Sequence, residues 1–199
     1  MSIAKHRARR NVRQNSSQHW IYDMRILPLL SLFTLISTGV LAADVTDPVK
    51  AVMKITEDNW NTVDSDWKSL FDPEPIQQNF SKSFQTAYSE ASKHPAYETE
   101  NNAPGDPFGY DVVTSSQDGC PLKDVTIVPA PAANGVSDVK VTFKQWACID
   151  DAEMKDSVSE VHFDVIEEDG KPVIKDIHRV VENESDSLVE EMQSIAKGE

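Results

Sequence analysis

The chain has 199 residues, 39% of them hydrophobic and 26% charged, which fits one globular domain plus an extension rather than a disordered chain. The formal net charge of −14 is unevenly spread: residues 1–43 hold six basic residues against Asp23 alone, so residues 44–199 carry 13 Lys+Arg against 32 Asp+Glu, a net −19. A domain this acidic repels phosphate backbones and anionic lipid, which excludes nucleic-acid binding and leaves solubility, a cation or a basic protein partner as the meaning of the charge.

Residues 1–43 read as a basic extension plus a secretory signal. The run from Ile26 to Val40 is uncharged, Arg25 precedes it, and Val40 and Ala42 are small residues at the −3 and −1 spacing of a signal-peptidase site. Cleavage is expected after Ala42 or Ala43. Residues 1–23 contain no apolar run, and Met24 followed by Arg25 would by itself open a signal of ordinary length, so Met24 is a second candidate for the true start. An uncleaved anchor is the other reading of the apolar run. Basic residues precede it, so the acidic domain is placed outside either way, and no Cys follows it to carry a lipid. After cleavage no membrane insertion is expected, and the domain 44–199 is expected in the periplasm or secreted.

Within that domain, Asp47 and Pro48 suit a helix start, and Val49, Val52, Met53, Trp60 and Val63 recur at helical spacing. A short segment with Trp67, Leu70 and Phe71 follows, and the run Asp72-Pro73-Glu74-Pro75 is expected to break it. Ile76, Phe80, Phe84, Ala87, Tyr88 and Ala91 then mark one amphipathic helix that stops before Pro95. Trp60 and Trp67 are expected in the core. Residues 94–119 hold three prolines and three glycines and read as a long loop, docked by Phe108 and Tyr110; loops of this length in compact domains are often functional.

Strands fill the rest. Val125 and Ile127 alternate in the first, and Val139, Val141 and Phe143 in the second, with Lys140, Thr142 and Lys144 facing away. Val161, Phe163 and Val165 alternate in the third, and residues 173–181 form the fourth. Ser187 with Glu190 fits a capping box for a last helix carrying Leu188, Val189, Met192 and Ile195, with the tail from Lys197 frayed. The expected fold is α+β: N-terminal helices packed on a curved four-stranded antiparallel sheet, with a short C-terminal helix.

Cys120 and Cys148 are the only cysteines, and in an exported protein they are expected to pair. Asn134-Gly135 is a hairpin turn signal, and in an antiparallel hairpin paired residue numbers have a constant sum. For the two cysteines that sum is 268, centred on Asn134, which sets them opposite each other at the open end.

The third hairpin carries the one polar constellation. With a three-residue loop around Glu168-Asp169-Gly170, paired numbers sum to 338, His162 faces Asp176 and Glu160 faces His178 on a single sheet face. Imidazole and carboxylate ligands suit a divalent metal, and a His–Asp pair is the unit of a general base; alternating charge on one face is equally the pattern of a solvated sheet. A loop of two or four residues would shift the register by one and scatter the set. No catalytic residue and no cofactor is assigned, because the chain lacks nucleophile, phosphate-loop, HExxH and EF-hand patterns.

Two N-terminal helices, the phrase DPFG at 106–109 and the terminal hairpin VHFDVIEEDGKPVIKDIHR resemble a family of exported bacterial proteins of unknown function. The resemblance covers residues 46–196, and its most specific element is the Ile-x-x-Ile spacing of Ile174 and Ile177; Pro172-Val173 stands where a Trp often follows the turn. It implies a cone-shaped fold similar to nuclear-transport-factor-two-like domains, a superfamily of isomerases, dehydratases and non-catalytic binding modules. Three functions follow as expectations. The first is a non-catalytic periplasmic binding protein, inhibitor- or immunity-like toward a basic protein. The second is a small-molecule enzyme with Trp60, Phe80 and Phe84 lining a cone and His162 or Asp176 as base. The third is a metal-binding envelope protein using Glu160, His162, Asp176 and His178.

Overall fold

The computed structural model describes residues 43–61, 67–181 and 184–199. The signal segment and the Ala42 side of its cleavage site lie outside these residues, as does Val63. Among the described residues no helix is long and apolar enough to cross a membrane.

The chain runs α1 (Asp47–Asn61), α2 (Pro73–Asn79), α3 (Lys82–Ala91), a 3-10 turn (Glu100–Asn102), β1 (Lys123–Pro129), β2 (Val136–Lys144), α4 (Ala152–Asp156), β3 (Ser159–Glu168), β4 (Lys171–Val181), β5 (Glu184–Ser185) and α5 (Leu188–Lys197). This is the α+β order expected from the sequence. The sheet has five antiparallel strands in the order β1-β2-β3-β4-β5 rather than four, and it is open rather than curled. The added strand is two residues long, and hydrophobic alternation cannot register in so short a piece.

Two layers share one core. Val139, Val141, Phe143, Val161, Phe163, Val165, Ile174 and Ile177 turn one sheet face toward the helices, each with 1% exposure or less. Burying each such side chain contributes roughly 1.5–3 kcal/mol. Above them, α1 supplies Val49, Val52 and Met53, while Leu188 and Met192 of α5 close the end beside α3. An aromatic stack ties the segments together: Phe71 lies 4.4 Å from Tyr88 and 5.8 Å from Phe108, and Phe80 lies 4.5 Å from Phe84.

The single helix expected from Ile76 to Ala91 is two helices. Pro73 and Pro75 open α2 instead of ending a segment, because a proline in the first turn lacks only an N–H that would have no partner there. Phe80 then turns extended, and Ser81 caps α3 by accepting from the Phe84 N–H. The interruption has a partner: the Ser81 N–H donates to the Ile174 carbonyl at 2.8 Å, so the break covers an edge position of β4 that would otherwise be open.

The cysteine reading holds. From Thr126 to Pro129 the β1–β2 pairs sum to 268, with Asn134 and Gly135 both at positive φ in the turn. A register shift between Lys123 and Thr126 carries the cysteines just past the ladder, where Cys120 and Cys148 are disulfide-bonded with Cα atoms 5.7 Å apart. Ser187 caps α5 by accepting from the Glu190 N–H, as expected, and Gly198 at φ 76° ends it in order after Lys197. The five-residue α4, capped by Asp151, is not signalled by any periodicity.

The third hairpin differs from expectation in an informative way. Its turn is two residues, Asp169 and Gly170, with φ of 53° and 77°, the type I′ conformation that matches strand twist. That loop alone would flip every side chain beyond it. One extra residue, Lys175, intervenes as a β-bulge: Val165 pairs with Ile174, but Asp164 pairs with Asp176. The bulge restores the phase, and this is why Ile174 and Ile177, three apart, both point into the core.

Candidate functional site

Because loop and bulge offset each other, Glu160, His162, Asp164, Asp176 and His178 do share the sheet face away from the core. Their pairing is not the expected one. His162 lies opposite His178, and Asp164 opposite Asp176. His162 is instead held by Asp138 of β2, whose carboxylate oxygens sit 2.8 and 3.0 Å from Nδ1, and by Glu160 at 3.0 Å from Nε2. Asp138 has the same phase as Lys140 and Thr142 in β2, so continuing that alternation one step back would have found it. His178 places Nδ1 2.7 Å from the Asp186 carbonyl and Nε2 3.4 Å from Asp164.

Asp176 is spent on architecture. One of its oxygens accepts from the Ile177 N–H and, at 3.0 Å, from the Val189 N–H; the other accepts from the Ser187 hydroxyl at 2.6 Å. It therefore anchors the start of α5, where a negative charge also suits the helix dipole.

The electrostatics follow from these contacts. Burial pulls the pKa of His162 down, and its bonds to Glu160 and Asp138 outweigh that and leave it raised. For His178 burial again acts downward, and the Asp186 carbonyl, Asp176 and Asp164 more than offset it. Glu160 is lowered first by His162 and, after a smaller opposing desolvation, by Lys140. Both imidazoles thus have oxygen neighbours that favour their charged form. Among the described residues no group of three or more His, Cys, Asp or Glu is placed to hold a metal ion. Phe80 and Phe84, expected to line a cavity with these groups, are packed solid in the core on the opposite side of the sheet.

Two other features went unsignalled in the sequence. The first is a buried ion cluster. Arg179, with a side chain 8% exposed, donates to Asp186 through Nε at 3.1 Å, to Glu191 through Nη2 at 2.6 Å, and to the Tyr110 hydroxyl. Tyr110 in turn donates to Glu191 at 2.6 Å. Burial opposes the charge on Arg179, but its bonds to Asp186, Tyr110 and Glu191 hold its pKa above the ordinary value. Burial and the bond to Glu191 likewise raise Tyr110. The partners come from positions 110, 186 and 191, too far apart in sequence for any spacing rule to join.

The second is an open cleft of about 400 Å³ between residues 67–71 and the long loop. The loop is not slack: Phe108, Val112, Val113 and Leu122 are buried, and Asp111 accepts from the Val113 and Thr114 N–H groups. Asn59 fixes the other wall by exchanging hydrogen bonds with the Lys68 backbone at 2.8 and 2.9 Å. Trp67, expected in the core, is 56% exposed on one rim, and Tyr97, 65% exposed, stands on the other. The Tyr97 hydroxyl and the Gln117 amide both reach the Gly109 carbonyl. Asp106 faces the cleft and accepts from the Phe108 N–H; crowding by the walls raises its pKa. Tyr88 behind it is pushed up to about 12, by burial first and then by Asp106 and Asp72. Such a surface can bind; among the described residues that line it, none are arranged as nucleophile and base.

Compared with known proteins, the chain matches no protein-family model, no curated protein and no solved structure.

Proposed function

We propose that the domain is a non-catalytic binding module that works outside the cytoplasm and takes a basic protein as partner, in the manner of an inhibitor or immunity protein. The observation that carries this reading is the cleft: a long loop, ordered by its own core residues and by Asp111, forms one wall of an open, aromatic-rimmed surface on a domain of net −19. Loops held rigid in this way lose little entropy on binding. The charge would speed encounter with a cationic partner. The disulfide fits an oxidising compartment. Both the metal reading and the acid–base reading need a free imidazole nitrogen, whereas each ring nitrogen of His162 and His178 already faces an oxygen.

The test is capture by the immobilised protein from the extracytoplasmic fraction of its host, with elution by a salt gradient. A partner rich in Lys and Arg, released as salt rises through about 0.15–0.5 M, is the expected result. Recovery of no basic protein at low salt would refute the reading.

A further inference from the structure

We infer that the cleft between Trp67 and Tyr97 is the subsite for a single lysine or arginine side chain of that partner, its charged head set against Asp106 and its methylene stem against the aromatic walls. The inference rests on the reading of the chain as a binder of basic proteins and adds where the contact is made.

Three features of the cleft lead there. Its floor and rims are aromatic, with Phe71 and Phe108 below and Trp67 and Tyr97 at the edges. Rings of this kind attract a cation over their faces and also cover the apolar stem of a long basic side chain. Its carboxylates outnumber its cations: Asp106 and Asp111 against Lys68. Asp111 is committed to the loop backbone, but Asp106 gives one oxygen to the Phe108 N–H and has a second to offer. Finally, burial disfavours the Asp106 charge, and the attraction of an incoming cation would offset that penalty, which a neutral ligand could not do. A neutral sugar could stack on the same rings, but it would leave that charge uncompensated.

The experiment is an NMR titration of the full domain, read at the Trp67 indole N–H and the Gly109 amide. The probe is acetylated, amidated trilysine, compared with the same peptide carrying norleucine at the centre and with a chito-oligosaccharide. The proteins are wild type, Asp106→Asn, Tyr97→Ala, and Glu153→Gln as a distant acidic control. Asp106→Asn keeps the acceptor for Phe108, and Tyr97 is exposed, so neither change should disturb folding. Trilysine is expected to shift both reporters, to bind roughly fivefold more weakly to Asp106→Asn and to Tyr97→Ala, and to be unaffected by Glu153→Gln. The norleucine peptide should bind more weakly than trilysine. Equal binding by all four proteins, shifts confined to other amides, or a response to the saccharide with none to trilysine would each overturn the inference. The first two would leave a basic partner elsewhere on the domain intact, and salt-sensitive capture decides that question separately.

Discussion

Replacing Arg179 by Met tests the account of the buried cluster. The substitution keeps the length and apolar volume of the stem but removes the charge from between Asp186 and Glu191. Breaking a fully buried ion pair costs about 3–5 kcal/mol, because the remaining charge is left without compensation. Here the orphaned groups are only partly enclosed, with Asp186 46% and Glu191 29% exposed, so Asp186 can turn to water while Glu191 recovers less. The Tyr110 hydroxyl keeps Glu191 as acceptor but loses the Arg179 donor. A loss of about 2–4 kcal/mol is therefore expected, read by urea unfolding with an unchanged dependence on denaturant. The double variant with Glu191→Gln should lose less than the sum of the two singles, by about 1–2 kcal/mol. Hydrogen exchange should show α5 and the loop around Tyr110 loosening together. A loss below about 1 kcal/mol, the size of a surface pair, would refute the cluster as a junction between loop, sheet and last helix.

Converting both Cys120 and Cys148 to Ser should remove about 3–4 kcal/mol, the chain-entropy value for a separation of 28 residues, and lower Tm by roughly 8–14 °C in calorimetry. Because the folded-state pKa values of His162 and His178 are raised, the stability they contribute is full below about pH 6.5 and is lost as pH climbs through the folded values. Unfolding free energy should then fall as pH rises above about 6.5, and a His162→Gln, His178→Gln double variant should flatten that slope. Gly119→Ala would set a methyl 2.7 Å from the Trp60 ring and 3.1 Å from Gln145, beside the disulfide. A loss of about 1–3 kcal/mol by thermal unfolding is expected from that overpacking.

Local chemistry was readable in the sequence, and compensating or distant chemistry was not. The turn at Asn134-Gly135 and the cysteine numbering together gave the first hairpin and the disulfide, because both obey one arithmetic of antiparallel pairing. Alternation in β2 and β3 likewise marked the buried face correctly. The third hairpin failed in pairing and kept its faces only beyond the bulge: Ile174, expected on the polar face, is in the core, while Asp176 and His178 stay on the polar side because the shorter loop is offset by Lys175; the spacing of Ile174 and Ile177 was the available clue, for two core residues three apart in a strand require a bulge. The break at Phe80–Ser81 was hidden because Phe80 and Phe84 also satisfy helical periodicity, and only the Ile174 carbonyl across the sheet explains it. The polar face was found, but Asp138, the residue that holds His162, lay on a strand not considered as its neighbour. The cleft could not be seen, because Trp67 looks like a core residue in any sequence window, and its exposure on the cleft is a property of the folded chain alone.

The bulge at Lys175 has a consequence for how this hairpin can change length. Lys175 is the one residue of the strand without a partner across the ladder. Losing it alone would leave Ile174 opposite Val165 and Asp176 opposite Asp164 as consecutive regular pairs, so no side chain beyond it would change face. Length variation at this point of the strand is then expected as the presence or absence of that single residue, with the Asp169-Gly170 turn unchanged.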